Sequence, residues 1–199
     1  MKAAVHKSPN FQIAKSSNFQ IFKSNSMNIL SNFKEIKAFV LDVDGVLTDG
    51  MLMLLDDGQM CRRMNIKDGY ALQLAVKKGY HVLVISGGSS EAVKLRLQKL
   101  GVVEVNMNVT DKQELLQRYV NGYELTWNQV LYMGDDIPDL APMKLAGLPC
   151  CPADAADEIK NISRYISGIK GGYGCVRDVI EKVLKLNGHW DMESHIASR

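Results

Sequence analysis

Three apolar runs limit what this chain can fold into. AFVLDV (Ala38–Val43), HVLVIS (His81–Ser86) and QVLYMGDD (Gln129–Asp136) are each strand-sized and apolar on both faces. Such strands belong inside a sheet covered on both sides, which favours a parallel sheet. Helical patterns lie between them: DGYALQLAVKKG (Asp68–Gly79), apolar at Leu72, Ala75 and Val76, then SSEAVKLRLQKLG (Ser89–Gly101), then DKQELLQRYVNGY (Asp111–Tyr123). The first two close on a glycine, as helices often do. Shorter elements complete the alternation: strands at Val102–Met107, Leu148–Cys151 and Arg164–Ile166, and helices at Leu140–Ala146, Asp154–Asn161 and Cys175–Leu186. This order predicts an α/β fold, a parallel sheet with helices on both faces. One stretch breaks it. MLMLLDDGQMCRRMNI (Met51–Ile66) is predicted to be a β-hairpin turning at Asp57-Gly58,.

In such a sheet, right-handed crossovers bring the carboxyl ends of the strands to one edge, where ligands bind. Polar residues collect at those ends: Asp42 and Asp44, Ser86, and Asp135 with Asp136. Lys112 enters from the loop after another strand. Residues i and i+2 of a strand face the same side, so Asp42 and Asp44 are predicted to aim at one point. Asp135 adds a third carboxylate, with Asp136 and Asp139 close by. That charge density calls for a cation, and an all-oxygen set suits Mg²⁺. It is not an EF-hand loop, because Leu47 and Met53 stand where glycine and an acid are required,.

These residue types fit phosphoryl chemistry. A carboxylate can attack phosphorus, a neighbouring one can protonate the leaving oxygen, and a cation offsets the repulsion between anions. Ser86 and the amides after it can bind phosphate oxygens, and Lys112 can neutralise the remaining charge. Each signal alone is weak. A DxD pair, a strand-end serine or a helix-start lysine is usually structural. The joint pattern at strand ends is much more specific.

DVDGVLTDG (Asp42–Gly50), Ser86 in VISGG, Lys112 in TDK and GDDIPD (Gly134–Asp139) together resemble the phosphatases of the haloacid dehalogenase (HAD) superfamily. NIKDGYAL (Asn65–Leu72), GGYGCVRDVIEKVL (Gly171–Leu184) and the hairpin resemble the branch acting on 3-deoxy-D-manno-octulosonate 8-phosphate (KDO 8-phosphate). The likeness covers about residues 35–187. It implies a Rossmann-like HAD fold with a small β-hairpin in place of a cap domain. It implies Asp42 as nucleophile and Mg²⁺ ligand, and Asp44 as acid/base lending the metal its backbone carbonyl. Asp135 would be the remaining protein ligand, with Ser86 and Lys112 on the phosphoryl group and Asp139 orienting Lys112, beside Asp136. Sugar-acid contacts would fall on Asp44, Asn65, Ile66, Lys67, Asp68, Gly69, Arg96 and Lys112. Gly88 departs from the pattern, since an arginine usually follows SG or TG there. That departure admits KDN 9-phosphate or another phospho-sugar as an alternative substrate. A catalytically silent binding module is the alternative from another class.

The resemblance also implies a homotetramer whose neighbouring subunit closes the site. Met51, Met53, Leu54 and Leu55 suit such an interface, and Gly171, Gly172 and Gly174 suit a mobile segment passing near substrate. Arg62 and Arg63 are expected to form a solvated strand face. Residues 1–34 hold five lysines and no acid, so the remainder carries −3 of the net +2. A mildly acidic body does not suit nucleic acid. Asn10–Ser16 and Asn18–Ser24 nearly repeat, and residues 1–34 are expected to be a disordered or non-catalytic extension, with 35–187 the phosphatase domain and 188–199, including Trp190, a loose tail,. No apolar run matches a membrane span, and Cys61, Cys150, Cys151 and Cys175 lack metal-site spacing, so a cytoplasmic enzyme is expected,.

Overall fold

The computed structural model describes residues 29–190. The near-repeat lies outside the described residues. The strands are β1 (Ala38–Leu41), β2 (Met53–Leu54), β3 (Met60–Cys61), β4 (His81–Ile85), β5 (Glu104–Asn106), β6 (Val130–Met133), β7 (Leu148–Cys151) and β8 (Tyr165–Ile166). Six form one sheet in the order β5-β4-β1-β6-β7-β8, with every pairing parallel. The helices are α1 (Ile29–Glu35), α2 (Ile66–Lys77), α3 (Glu91–Lys99), α4 (Lys112–Gly122), α5 (Leu140–Met143), α6 (Asp157–Ile162) and α7 (Cys175–Leu186).

Alternation along each strand divides the core into two layers. Phe39, Leu41, Val82, Val84, Leu131 and Met133 face α1, α2, α3 and α7. Val40, Leu83, Ile85, Val130 and Tyr132 face α4, α5 and α6. Burial on both sides explains why the three runs read as continuous apolar sequence. Each fully buried Leu, Ile or Val contributes roughly 1.5–3 kcal/mol.

The folded unit begins earlier than the sequence suggests. Phe33 and Ile36 are buried against α7, so α1 belongs to the domain rather than to an extension. At the other end Trp190 is not loose. Its ring meets Tyr70 edge-on at 5.9 Å, and the Arg177 guanidinium lies 5.2 Å from its centre. His189 bonds the Tyr80 hydroxyl through Nδ1 at 2.9 Å.

The hairpin formed by β2 and β3 turns where predicted, with Gly58 at φ +83 and its N–H donating to Leu55 O at 2.9 Å. Its strands are shorter than the sequence implied. Met51, Met53 and Leu54 are exposed, so this apolar run is not part of the chain's own core. No helix among the described residues is long and apolar enough to cross a membrane.

Candidate active site at the carboxyl edge of the sheet

β1 ends at Leu41, not at Val43 as the sequence pattern suggested. Asp42 still extends the ladder, its N–H donating to Met133 O at 3.1 Å. The backbone then turns through Asp44 and Gly45 (φ +88), and the turn is closed by Thr48 N–H to Val43 O at 2.9 Å. The strand argument that put Asp42 and Asp44 on one face therefore fails locally. The two carboxylates nevertheless reach the same cavity, of about 320 Å³. It is also lined by Ser86, Gly88, Lys112, Asp135, Asp136 and Asp139.

Asp42, Asp135 and Asp139 come closest together, with one oxygen of each within 4.8 Å of the others. Lys112 Nζ lies 3.0 Å from Asp42 Oδ1 and 2.8 Å from Asp139 Oδ1. Asp139 Oδ1 also accepts the Tyr132 hydroxyl at 2.8 Å, and Oδ2 accepts the Asp135 N–H at 3.2 Å. Asp139 is thus fixed from three sides and in turn fixes Lys112. Two glycines make room for this. A Cβ on Gly45 would overlap the Asp135 carboxylate, and one on Gly134 would overlap Asp139.

The electrostatics follow from crowding. Burial, reinforced by Asp139, pushes Asp42 up to about 6 despite the attraction of Lys112. Burial, with Asp42, Asp139 and Asp136 adding repulsion, pushes Asp135 up to about 7. Burial alone would lower Lys112, but Asp139 and Asp42 outweigh it and the ammonium is held above its ordinary value. Tyr132, buried beside Asp139, is pushed well up and stays a donor.

Ser86 follows β4, and its Oγ accepts the Gly88 N–H at 3.0 Å, which leaves its hydroxyl hydrogen for another acceptor. Lys112 opens α4, where the Asp111 side chain caps the helix by accepting Glu114 N–H at 2.8 Å. Asp136 stands exposed at the rim. Gly171 and Gly172 pack against the backbone of the loop after β1. A Cβ on either would overlap main-chain atoms, and Gly172 N–H donates to Val46 O at 2.9 Å. Gly171 and Gly172, expected in a segment passing near substrate, thus pack closely on the loop after β1. A larger cavity of about 540 Å³ lies where Lys37, Tyr80, His81 and Gln129 meet, away from this cluster.

Known proteins resemble this chain in sequence and in fold. Residues 96–174 match the haloacid dehalogenase-like hydrolase family. The 3-deoxy-D-manno-octulosonate 8-phosphate phosphatase KdsC of Salmonella typhi is 30% identical over 164 residues, 82% of this chain and 87% of that protein. The chain belongs to this family of HAD phosphatases. The crystal structure of the Moraxella catarrhalis 3-deoxy-D-manno-octulosonate 8-phosphate phosphatase, in complex with a magnesium ion, a phosphate ion and KDO, matches with a TM-score of 0.77 and 32% identity. The match covers 79% of this chain and 91% of that one. The cobalt-bound Haemophilus influenzae enzyme matches at a TM-score of 0.75 and 28% identity, over 79% of this chain and 92% of that one. The chain is therefore a phosphomonoesterase of the HAD class.

Of the residues assigned to the sugar acid by resemblance, Asp44 and Lys112 line the aspartate cavity, and Asn65, Ile66, Lys67, Asp68, Gly69 and Arg96 do not. Asn65 caps α2, its Oδ1 accepting Lys67 N–H at 2.8 Å, and α2 starts at Ile66 rather than Asp68. Ile66 is exposed, and Lys67 opens into a separate cavity beside Tyr173 and Arg177. Gly69 lies under Arg96, which lines a neighbouring cavity with Arg62. Arg62 is not solvated. It points inward to Asp44, whereas Arg63 is exposed and pairs with Asp49.

Asp68 is buried, which argues against a direct sugar contact in the single chain. Its Oδ1 accepts the Arg177 N–H at 2.6 Å at the start of α7, while Oδ2 has no hydrogen-bond partner. Burial raises it from 3.8 to about 6, against the pull of that N–H. The folded chain therefore binds this proton more tightly than the unfolded one does. Its contribution to stability falls as pH rises from about 4 to about 6, where the native state must accept a buried charge. Asp68→Asn keeps an acceptor for Arg177 and removes the charge. It is expected to melt higher than wild type at pH 7.5, by on the order of 2 kcal/mol, with the difference closing near pH 4. Thermal melts across that range check this, and a variant melting lower at pH 7.5 would refute it.

Proposed function

We propose that this phosphatase is a Mg²⁺-dependent KDO 8-phosphate phosphatase, releasing KDO and inorganic phosphate in lipopolysaccharide sugar synthesis in the cytoplasm. The observation that carries the reading is the ion cluster of Asp42, Lys112, Asp139 and Asp135 at the sheet edge. The substrate is taken from the names of the relatives that the chain resembles over most of its length.

Ser86 and Lys112 receive the phosphoryl oxygens and hold phosphorus in front of Asp42. An Asp42 oxygen attacks phosphorus, the bond from phosphorus to the sugar oxygen breaks, and Asp44 gives that oxygen its proton. The product is an aspartyl phosphate on Asp42. Water then attacks this phosphorus, Asp44 takes the water's proton, and phosphate leaves with Asp42 regenerated. Lys112 serves throughout as fixed positive charge, held in place by Asp139,.

The residues fit a divalent cation. Three carboxylates face one ammonium, which leaves two negative charges to balance. Asp135 Oδ1 is buried without a hydrogen-bond partner. The donors are all hard oxygens, the preference of Mg²⁺. Asp42 and Asp135, with the Asp44 backbone carbonyl, would hold it, while Asp139 stays committed to Lys112. A cation bound there would lower the repulsion between Asp42 and the anionic substrate.

The exposed apolar run Met51–Leu55 supports a homotetramer, in which a neighbouring subunit would cover the site and bring the Asn65–Gly69 stretch toward substrate. KDN 9-phosphate remains the second reading because Gly88 removes a side chain from the cavity wall. The test is phosphate release from KDO 8-phosphate and KDN 9-phosphate, with Mg²⁺ and with EDTA, and light scattering of the same sample. The expected result is Mg²⁺-dependent preference for the eight-carbon substrate and a mass of about four chains. Preference for the nine-carbon acid would change the substrate, and metal-independent release would overturn the mechanism.

A further inference from the structure

The hairpin is exposed along most of its length, yet one of its side chains is buried. Met53, Leu54, Met60 and Cys61 are all exposed. The Arg62 side chain is 7% exposed, against 77% for its neighbour Arg63. Removing a guanidinium from water is costly unless it is paired with good geometry. Here the partner is Asp44. Arg62 Nε donates to Oδ1 at 2.7 Å and Nη2 to Oδ2 at 3.2 Å, a two-bond fork,. The buried Thr48 Oγ1 lies 3.3 Å from Asp44 Oδ1 and 3.2 Å from Val43 O, and its one hydroxyl proton can serve either acceptor,. Both carboxylate oxygens of Asp44 are therefore held.

Gly88 lies against this pair. A Cβ there would lie 3.1 Å from Asp44 Oδ2, 3.4 Å from Arg62 Nη2 and 3.5 Å from Ser86 Oγ. The backbone at Gly88 does not require glycine, since its φ lies outside the left-handed region. The tight contact of a Cβ would be with the Asp44 carboxylate, while the guanidinium would meet it at ordinary distance. Arg62 also lines a second cavity of about 350 Å³, while Asp44 lines the aspartate cavity, so the pair forms part of the wall between them.

We propose that Arg62 is the positioning residue of Asp44, reaching it from the hairpin beside Gly88. This rests on the reading of Asp44 as the acid that protonates the leaving oxygen. Arg62 fixes the angle from which that proton is delivered and retains Asp44 at the cavity wall between turnovers.

The test compares two leaving groups. A sugar alkoxide needs its proton as the bond breaks, whereas p-nitrophenolate and acetate leave readily without one. Turnover of KDO 8-phosphate is measured with Mg²⁺ beside p-nitrophenyl phosphate and acetyl phosphate. The chains are wild type, Arg62→Ala, Arg62→Lys, Gly88→Ala and, as the reference for loss of the acid, Asp44→Asn. Arg62→Ala is expected to lower kcat on the sugar phosphate about 10–100-fold, with the loss on the activated substrates about tenfold smaller and KM little changed. Arg62→Lys is expected to recover part of that loss, since an ammonium keeps the charge but not the fork. Gly88→Ala, whose Cβ would press on Asp44 from the opposite loop, should show the same pattern at smaller size with the hairpin sequence unchanged. Equal loss on all substrates would reduce Arg62 to an anchor of the hairpin and overturn the proposal. A raised KM with unchanged kcat would make it a substrate receptor and do the same. If Asp44→Asn fails to separate the substrates, the acid assignment itself falls, and this inference with it.

Discussion

Asp42→Asn is expected to end phosphate release and leave the fold intact. The amide has the shape of the carboxylate but cannot attack phosphorus, so the loss should be about 10⁴-fold or more. The stability expectation runs the other way. Asp42 is pushed up to about 6 because burial and Asp139 work against its charge more strongly than Lys112 supports it. Removing that charge relieves the cluster, while Lys112 keeps Asp139 at 2.8 Å. Without Mg²⁺ the variant should therefore melt at or above the wild-type temperature. Adding Mg²⁺ should raise the wild-type melting point more than the variant's, because bound metal stabilises by mass action. A variant that keeps turnover within about tenfold of wild type would remove Asp42 as the nucleophile. One that unfolds would mean that the carboxylate is structural.

The sheet and the acids at its edge were legible because burial on both faces leaves a plain mark. Val40, Leu83 and Tyr132 face one layer while Phe39, Val84 and Met133 face the other, so no polar residue interrupts the strands. The ends of α7 were legible for a similar reason, with its apolar face packed on α1 and α2 and a glycine before it. What failed was local. The i, i+2 argument for Asp42 and Asp44 needs an extended strand, and Gly45 bends the chain at that point. The helix α1 was hidden by its setting, since Phe33 and Ile36 sit at the end of a basic, acid-free tract that reads as a tail. Tyr132 was missed although it is the one hydroxyl in VLYM. A buried hydroxyl needs a partner, and that rule would have led to an acid on the same edge,. The Arg62–Asp44 contact spans the hairpin and has no sequence period to reveal it. The sugar-acid residues were placed by likeness alone, and the folded chain puts Asp68 to use in holding the start of α7.

Lys112→Met should cost both activity and stability, and the two losses can be separated. Lys112 is buried, and it is the ammonium paired to both Asp42 and Asp139. Taking it away leaves two buried carboxylates beside Asp135 with no compensating charge. Breaking a buried pair from one side typically costs about 3–5 kcal/mol. Methionine has similar length and fills the space, so the penalty is chiefly electrostatic. Asp139→Asn in the same chain removes one of the stranded charges. Its amide oxygen can still accept the Tyr132 hydroxyl, now 2.8 Å from Asp139 Oδ1. The double variant should therefore regain more than half of the lost stability. Activity should not return in either chain, because the charge that receives the phosphoryl oxygens is gone, a loss of about 10²–10³-fold. Chemical denaturation and phosphate release on the same preparations measure both. A double variant no more stable than Lys112→Met would mean that Lys112 is held by packing rather than by charge. Recovery of turnover in the double variant would remove Lys112 from the phosphoryl site.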